Sequence, residues 1–315
     1  MKRLVIINDY QNLAREAADW SRLPPGIALE VHGRVNEADA ATLLAGSEIV
    51  VTSREETRFD AALLAQLPAL RLLVTHGTSN AALNLPALAA RGVTVCGTRY
   101  GFEMATVELA WGLILGLTKR ITAEDRAIRE GGWAAGLGRG LTGRRLGVLG
   151  LGRLGAGVAQ VGRAMGMTVV AWSENLTEAR CAEHGVRLVS RAEFFGESDV
   201  ISIHLRDSPR TRGLVGAAEI GAMRRDALLI NTARGGIVDE VALVAALRDG
   251  RIGGAGLDVF ATEPRPANHP RRSLPNTILT SHIGGRTREN FLARYQDSLE
   301  DVLAWLDGAP VRVIT

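Results

Sequence analysis

One stretch constrains the fold more than any other: Arg145 to Ser173, RLGVLGLGRLGAGVAQVGRAMGMTVVAWS. The apolar run Leu146 to Leu149 reads as a buried strand. Gly150, Gly152 and Gly155 follow with G-x-G-x-x-G spacing, Val158, Val161, Ala164 and Met165 recur at helical intervals, and Thr168 to Trp172 is a second apolar run. Strand, glycine turn, helix and strand make a βαβ unit. In such a unit the first glycine permits a tight turn and the second lets the backbone approach a pyrophosphate. The third lets helix and strand pack closely, with the helix N-terminus aimed at the phosphates. Spacing alone is a weak signal in a chain with 36 glycines. The two flanking strands are what make it the expectation of a dinucleotide site.

The acidic residue that would bind the adenosine ribose should end the second strand. Ser173 stands there instead, followed by Glu174 and Asn175, and the nearest downstream Arg is Arg180. Glu174 on the ribose hydroxyls would favour NAD, whereas Ser173 and Asn175 equally admit NADP, so both cofactors stay open.

The rest of the chain repeats the same beat. Runs at Leu4 to Ile7, Ile27 to His32, Ile49 to Thr52, Leu70 to Thr75 and Val93 to Cys96 read as strands separated by helical patterns. After Trp172, Val186 to Val189, Val200 to Leu205, Ala227 to Ala233, Gly256 to Phe260 and Thr277 to Ile283 read as strands, with helices at Ala217 to Met223 and Glu240 to Arg248. Strands alternating with helices mean mostly parallel sheets. Ala105 to Arg120 is a nearly all-apolar helix, expected to be buried on several sides. With 315 residues, two cores are expected. The expected domains are 1–98 plus 288–315, to which the last helix returns, and 99–287, which carries the glycine loop. Arg265 to Pro275 reads as an extended proline-rich loop.

Charge and cysteine usage exclude several classes. A formal charge of +3 with scattered Lys and Arg gives no footprint for nucleic acid or a membrane surface. Cys96 and Cys181 stand in unrelated contexts, with no disulfide framework and no metal spacing. The N-terminal apolar run is too short for a signal peptide, and Leu109 to Leu117 is too short to span a bilayer. The expected compartment is the cytoplasm, with no metal.

In an open parallel sheet, ligands bind beyond the carboxyl ends of the strands. Three of those ends carry Asn231-Thr232-Ala233-Arg234-Gly235-Gly236, Ala261-Thr262-Glu263-Pro264 and Ser281-His282-Ile283-Gly284-Gly285. An Arg, a Glu and a His on successive strands suffice to reduce a keto group beside a carboxylate. Arg234 offers a planar fork for a carboxylate and a carbonyl oxygen. His282 can protonate the developing alkoxide, and Glu263 can orient it.

These motifs resemble the D-isomer-specific 2-hydroxyacid dehydrogenase family. The likeness runs from about Leu70 to Gly285, through LLVTHGTSNAALNL, RGVTVCGT, ATVELAWGLIL, LTGRRLGVLGLGRLG, DVISIHL, TRGLVGAAEIGAM, LLINTARGGIVDE, AGLDVFATEP and SHIGG. It implies two doubly wound, Rossmann-like α/β domains with parallel sheets, an active-site cleft between them, and a homodimer formed with the help of the long apolar helix. It implies that Arg234, Glu263 and His282 are catalytic, and that Gly150, Gly152, Arg153, Leu154 and Gly155 form the dinucleotide loop. By the same resemblance Thr106, Thr232, Asp258 and Gly284 belong to the nicotinamide end, and His204, Ser173 and Glu174 to the adenosine end. Gly77 and Thr78 match a loop whose backbone N–H groups hold the substrate carboxylate. Thr78-Ser79-Asn80 departs from the commoner glycine-rich form of that loop, and Ser281 stands where Pro is common.

The implied reaction is hydride transfer between NAD(P)H and a small 2-ketoacid, giving a D-2-hydroxyacid, or the reverse. A formate-dehydrogenase-like reading is weakened by Glu263, because those enzymes pair the His with Gln. A non-catalytic, NAD-sensing, corepressor-like reading is weakened because such proteins carry long tails, and this chain ends soon after its last helix. The substrate side chain is expected to meet Arg54, His76, Thr78 or the turn Tyr100-Gly101-Phe102.

Overall fold

In a computed structural model of the chain, residues 2–53, 56–99, 104–263 and 274–314 are described. Arg54, the Tyr100-Gly101-Phe102 turn and most of the loop 265–275 lie outside the described residues. The chain divides into two compact units, Met1–Phe102 with Thr287–Thr315, and Glu103–Arg286. These divisions stand at 102/103 and 286/287, against 98/99 and 287/288 read from the sequence.

The first unit alternates β1 (Lys2–Ile7), α1 (Ala14–Ala17), β2 (Ile27–Val31), α2 (Glu37–Leu44), β3 (Ile49–Thr52), α3 (Ala61–Ala65), β4 (Leu72–Thr75), α4 (Leu85–Ala90) and β5 (Thr94–Gly97). Its sheet is parallel, in the order β2-β1-β3-β4-β5. The period-2 alternation of a strand sorts the side chains. Val5, Ile7, Val50, Leu73 and Val95 face one side, with Leu44, Phe59, Leu64 and Leu88. Leu4, Ile6, Ile49, Val51, Leu72 and Val74 face the other, with Trp20, Phe291, Tyr295 and Leu299.

The second unit opens with α5 (Met104–Thr118) and α6 (Ile121–Arg129). It continues through β6 (Arg145–Leu149), α7 (Arg153–Ala164), β7 (Thr168–Trp172), α8 (Glu178–Glu183), β8 (Arg187–Leu188), α9 (Arg191–Glu197) and β9 (Val200–Ile203). It ends with α10 (Ala217–Ala222), β10 (Leu228–Asn231), α11 (Glu240–Arg248), β11 (Gly254–Leu257) and β12 (Thr277–Leu279). The last helix, α12 (Arg288–Leu306), belongs to the first unit and covers one face of its sheet. The second sheet is a seven-stranded parallel one, β12-β11-β10-β9-β6-β7-β8, so the chain reverses direction across it between β6 and β9.

Two strands end earlier than their apolar runs suggest. β11 stops at Leu257 rather than Phe260, and β12 at Leu279 rather than Ile283. In both cases the backbone beyond the strand is drawn into the turns described below. α5 is buried through Ala105, Val107, Ala110, Trp111, Leu113 and Ile114. Among the described residues, no helix is long and apolar enough to cross a membrane.

Candidate active site

Strand register brings the candidate residues of the second unit to one edge. Leu149 is level with Trp172 and Ile203, Asn231 with Ile203 and Leu257, and Leu257 with Leu279. The residues that follow these ends therefore leave the sheet on the same side. They are Gly150, Ser173, His204, Thr232, Asp258 and Thr280.

The three glycines after β6 each answer to a different constraint. Gly150 has φ +95°, a left-handed turn that L side chains rarely adopt. A Cβ at Gly155 would overlap the Gly150 carbonyl oxygen, so helix and strand pack directly through it. A Cβ at Gly152 would meet nothing within 4 Å. The fold thus requires the first and third glycines, while the second leaves open space before the N-terminus of α7. Arg153 is exposed and Leu154 half-buried at the start of that helix.

Around this loop several polar groups are buried without a partner. Thr232 is 7% exposed, and its Oγ1 has no hydrogen-bond partner among the described residues. His204 accepts or donates through Nε2 to Ser202 Oγ at 2.8 Å, while its buried Nδ1 is unpartnered. Burial pushes the His204 imidazole down to about 4, so the ring is neutral. Orphaned polar atoms in a folded interior call for an explanation. A bound dinucleotide beside the open Gly152 supplies one, so the residues fit the cofactor. Ser173 is half-buried and Glu174 exposed at the end of β7.

The Arg, Glu and His are built on adjoining loops of this edge. His282 Nδ1 lies 2.7 Å from Glu263 Oε2, and Glu263 Oε1 accepts the Phe260 N–H at 2.8 Å. Burial raises the Glu263 carboxyl, but the His282 bond, the Phe260 N–H and the charge of Arg234 outweigh it, and the group lies below the usual carboxylate range. The two side chains remain about a third exposed, at 35% each. Arg234 is half-buried, and its Nη1 donates to the Ala233 carbonyl at 2.6 Å. A Cβ at Gly235 would overlap the backbone of Phe260, so the loop carrying Arg234 rests directly on the loop leading to Glu263.

His282 is held in an uncommon conformation, with φ +56°. For a residue with a side chain this costs on the order of 1 kcal/mol or more. Asp258 offsets it. Its Oδ1 accepts from Thr280 Oγ1 at 2.6 Å and the Ile283 N–H at 2.8 Å, and its Oδ2 accepts the Gly284 N–H at 2.9 Å. The His282 N–H donates to the Asp258 carbonyl at 2.8 Å, and Thr106 Oγ1 donates to the Gly284 carbonyl at 3.1 Å. Asp258, Thr106 and Gly284, which the resemblance puts at the nicotinamide end, are here the frame of the His282 turn.

In the first unit, the His76-Gly77-Thr78 loop follows β4. The Gly77 N–H, read as a carboxylate donor, donates to Thr98 Oγ1 at 2.8 Å. Thr78 is exposed and carries the next amide of the loop. His76 is no surface contact: it is 2% exposed, both ring nitrogens lack partners among the described residues, and burial pushes it down to about 3.

Sequence reasoning missed Asn231, Gly235 and Thr280. Asn231 Nδ2 donates to the Arg234 carbonyl at 2.9 Å, and its Oδ1 accepts the Ala233 N–H at 3.0 Å. An Asn at the end of a strand run is an Asx-turn signal, and it was legible. Gly235 and Thr280 answer only to neighbours on other strands and left no local sign.

Comparisons with known proteins place the chain in a family. The family model for the NAD binding domain of D-isomer specific 2-hydroxyacid dehydrogenases matches residues 111–284. Glyoxylate reductase of Aeropyrum pernix is 34% identical over 299 residues, which cover 92% of this chain and 86% of that one. D-3-phosphoglycerate dehydrogenase of Archaeoglobus fulgidus is 32% identical over 95% of this chain, which spans 57% of that relative's length. The solved phosphoglycerate oxidoreductase from Vibrio cholerae superposes with a TM-score of 0.90 at 32% identity, covering 98% of this chain and 100% of that one. The chain belongs to the D-isomer-specific 2-hydroxyacid dehydrogenase family, whose members are NAD(P)-dependent enzymes.

Proposed function

We propose that the chain reduces a small 2-ketoacid to the D-2-hydroxyacid, or runs the reverse, with Arg234, Glu263 and His282 as its catalytic residues. The observation that carries this reading is the 2.7 Å pair between His282 Nδ1 and Glu263 Oε2 on the edge that also bears the open glycine loop. A nicotinamide cofactor held at the glycine loop would supply or take up the hydride. With Nδ1 engaged by Glu263, Nε2 carries the proton that goes to the carbonyl oxygen in reduction and is recovered in oxidation. Arg234 holds the carboxylate and polarises the carbonyl through its planar fork. Gly150, Gly152, Arg153, Leu154 and Gly155 form the pyrophosphate loop, with Thr232 and His204 offering their unpartnered atoms to the cofactor. Ser173 and Glu174 meet the adenosine ribose and govern the choice between NAD and NADP.

In this reading the first unit binds the substrate, with Thr78 supplying a backbone amide to its carboxylate. The reading also carries a homodimer in the cytoplasm. Ile121 and Ile128 on α6 are 53% and 52% exposed, and Trp133 and Leu137 beyond it are 86% and 95% exposed, apolar surface that a second copy would cover. A kinetic screen of small 2-ketoacids, glyoxylate and hydroxypyruvate included, with NADH and NADPH tests the proposal. Turnover of at least one is expected. Binding of NADH without turnover of any 2-ketoacid or of formate would instead favour a cofactor-sensing protein.

A further inference from the structure

The loop at Gly77 and Thr78 is held from a distant part of the chain. β5 pairs with β4 along one edge. Along its other edge lies the segment 312–314: the Gly97 N–H donates to the Arg312 carbonyl at 3.0 Å, the Ile314 N–H donates to the Val95 carbonyl at 2.8 Å, and Cys96 and Val313 form an antiparallel bridge. Gly97 is the pinch point. A Cβ there would overlap the Gly77 carbonyl oxygen and would lie 2.6 Å from Ile314 Cδ1. Ile314 therefore backs the one residue of β5 against which the Gly77 carbonyl rests.

The segment is anchored at its start. Arg312 adopts φ +53°, and its Nε donates to Asp301 Oδ1 at 2.9 Å, its Nη1 to Glu300 Oε2 at 3.0 Å and its Nη2 to the Asp297 carbonyl at 2.8 Å. Asp297 in turn accepts the Arg99 N–H at 2.7 Å and Arg99 Nε at 3.0 Å. The segment and the residues just past β5 are thus tied to the same helix, α12. Beside the loop runs an open groove of about 400 Å³, lined by Thr78, Gly97, Thr98, Arg99 and the segment 312–314, so strap and loop border the same space. A loop with few neighbours of its own responds to the contacts that it does have.

We propose that residues 312–314 are a strap that positions the Gly77–Thr78 backbone, with Ile314 and Arg312 as positioning residues for the substrate carboxylate. The carboxylate role rests on the function proposed above. Loosening the strap lets the Gly77 carbonyl and the Thr78 amide shift, which weakens binding of the ketoacid and leaves the nucleotide site of the other unit alone.

The test compares wild type with Ile314→Ala, Ile314→Val and Arg312→Ala, through ketoacid kinetics, NADH titration and amide hydrogen exchange. Ile314→Ala and Arg312→Ala should raise KM for the ketoacid by about fivefold or more with a smaller change in kcat. NADH affinity should be unchanged, exchange at residues 76–80 should speed up, exchange in β6 should not, and Ile314→Val should restore wild-type behaviour. An unchanged KM and unchanged loop exchange in both strap variants, with only a lower melting temperature, would overturn the strap. If wild type turned over no 2-ketoacid, the carboxylate role of the loop would fall, while the exchange rates alone would still uphold or overturn the positioning.

Discussion

Two loops that follow strand ends in this protein are built in opposite ways. The loop from Gly150 to Gly155 is made by its own sequence: a left-handed Gly150, an open Gly152 and a Gly155 packed on the Gly150 carbonyl, all within six residues of the end of β6. The loop at His76 to Asn80 is made by others. His76 lies edge-on to Tyr295 at 4.9 Å, Gly77 is pinched through Gly97 by Ile314, and Arg99 beyond β5 is bonded to Asp297, 198 positions away. A loop that carries its own constraints tolerates change elsewhere, whereas a loop held by remote contacts responds to it.

The largest effect expected separates chemistry from nucleotide binding. Removing the imidazole with His282→Ala should lower kcat on the order of 10²–10⁴-fold, the range of general acid–base catalysis. NADH affinity should hold, because the glycine loop owes nothing to His282. Loss of NADH binding in that variant would show that the two parts of the edge are not independent.

The self-contained loop can be broken in two distinguishable ways. Gly152→Val adds a side chain in open space, so it should cost at least about tenfold in NADH affinity with near-native circular dichroism and melting temperature. Gly155→Val forces helix and strand apart and should lower the melting temperature itself. Equal losses of stability in both would mean that Gly152 is a packing residue and that the loop is not arranged for a ligand.

A smaller effect concerns pH. The Glu263 carboxyl is raised by burial but held below its usual range by the His282 hydrogen bond, the Phe260 N–H and the charge of Arg234, so the ionised partner of His282 is present at neutral pH and is lost only as pH falls through that lowered value. The acid limb of kcat/KM should therefore lie below the ordinary carboxylate range. Glu263→Gln removes the group that titrates, so that limb should vanish with some activity left. A limb that stays in place would uncouple the two residues.

The smallest effect lies in the anchor of the strap. Asp301 is fully buried, and burial, with the charges of Asp297 and Glu300 against that of Arg312, pushes it up to about 7. Its folded value lies above the unfolded one, so its contribution to stability is full below the ordinary carboxylate range and is lost as pH rises through about 7. Thermal unfolding of wild type should therefore drop by a few degrees relative to Asp301→Asn between about pH 5 and about pH 8. Parallel curves would mean that Asp301 is ionised throughout.

Much of this molecule was legible in a line of residues, and the failures are instructive. The helices α8 and α9 were not read, although Thr177 and Ser190 cap them by accepting the Arg180 and Glu193 N–H groups. Each is too short to show a full helical period, and Ser190-x-x-Glu193 was the better signal. The run at Thr277 to Ile283 suggested seven strand residues, yet the strand has three. Its apolar character continues past Leu279, but Asp258, just past the end of the neighbouring strand, bends the backbone from Thr280 to Gly284.

The sequence by itself determined the alternating strands and helices, the glycine loop, and the delivery of an Arg, a Glu and a His to strand ends. Each of these follows from periodicity or from the conformational freedom of residues close together in the chain. Only the tertiary structure decided that Glu263 meets His282, that Asp258 and Thr106 frame the His282 turn, and that Gly77 gives its amide to Thr98. It also decided that the loop at Gly77 leans, through Gly97, on the far C-terminal segment. Those are short-range forces acting between residues remote in sequence, and they exist only once two complete sheets have brought the partners within hydrogen-bond or van der Waals reach.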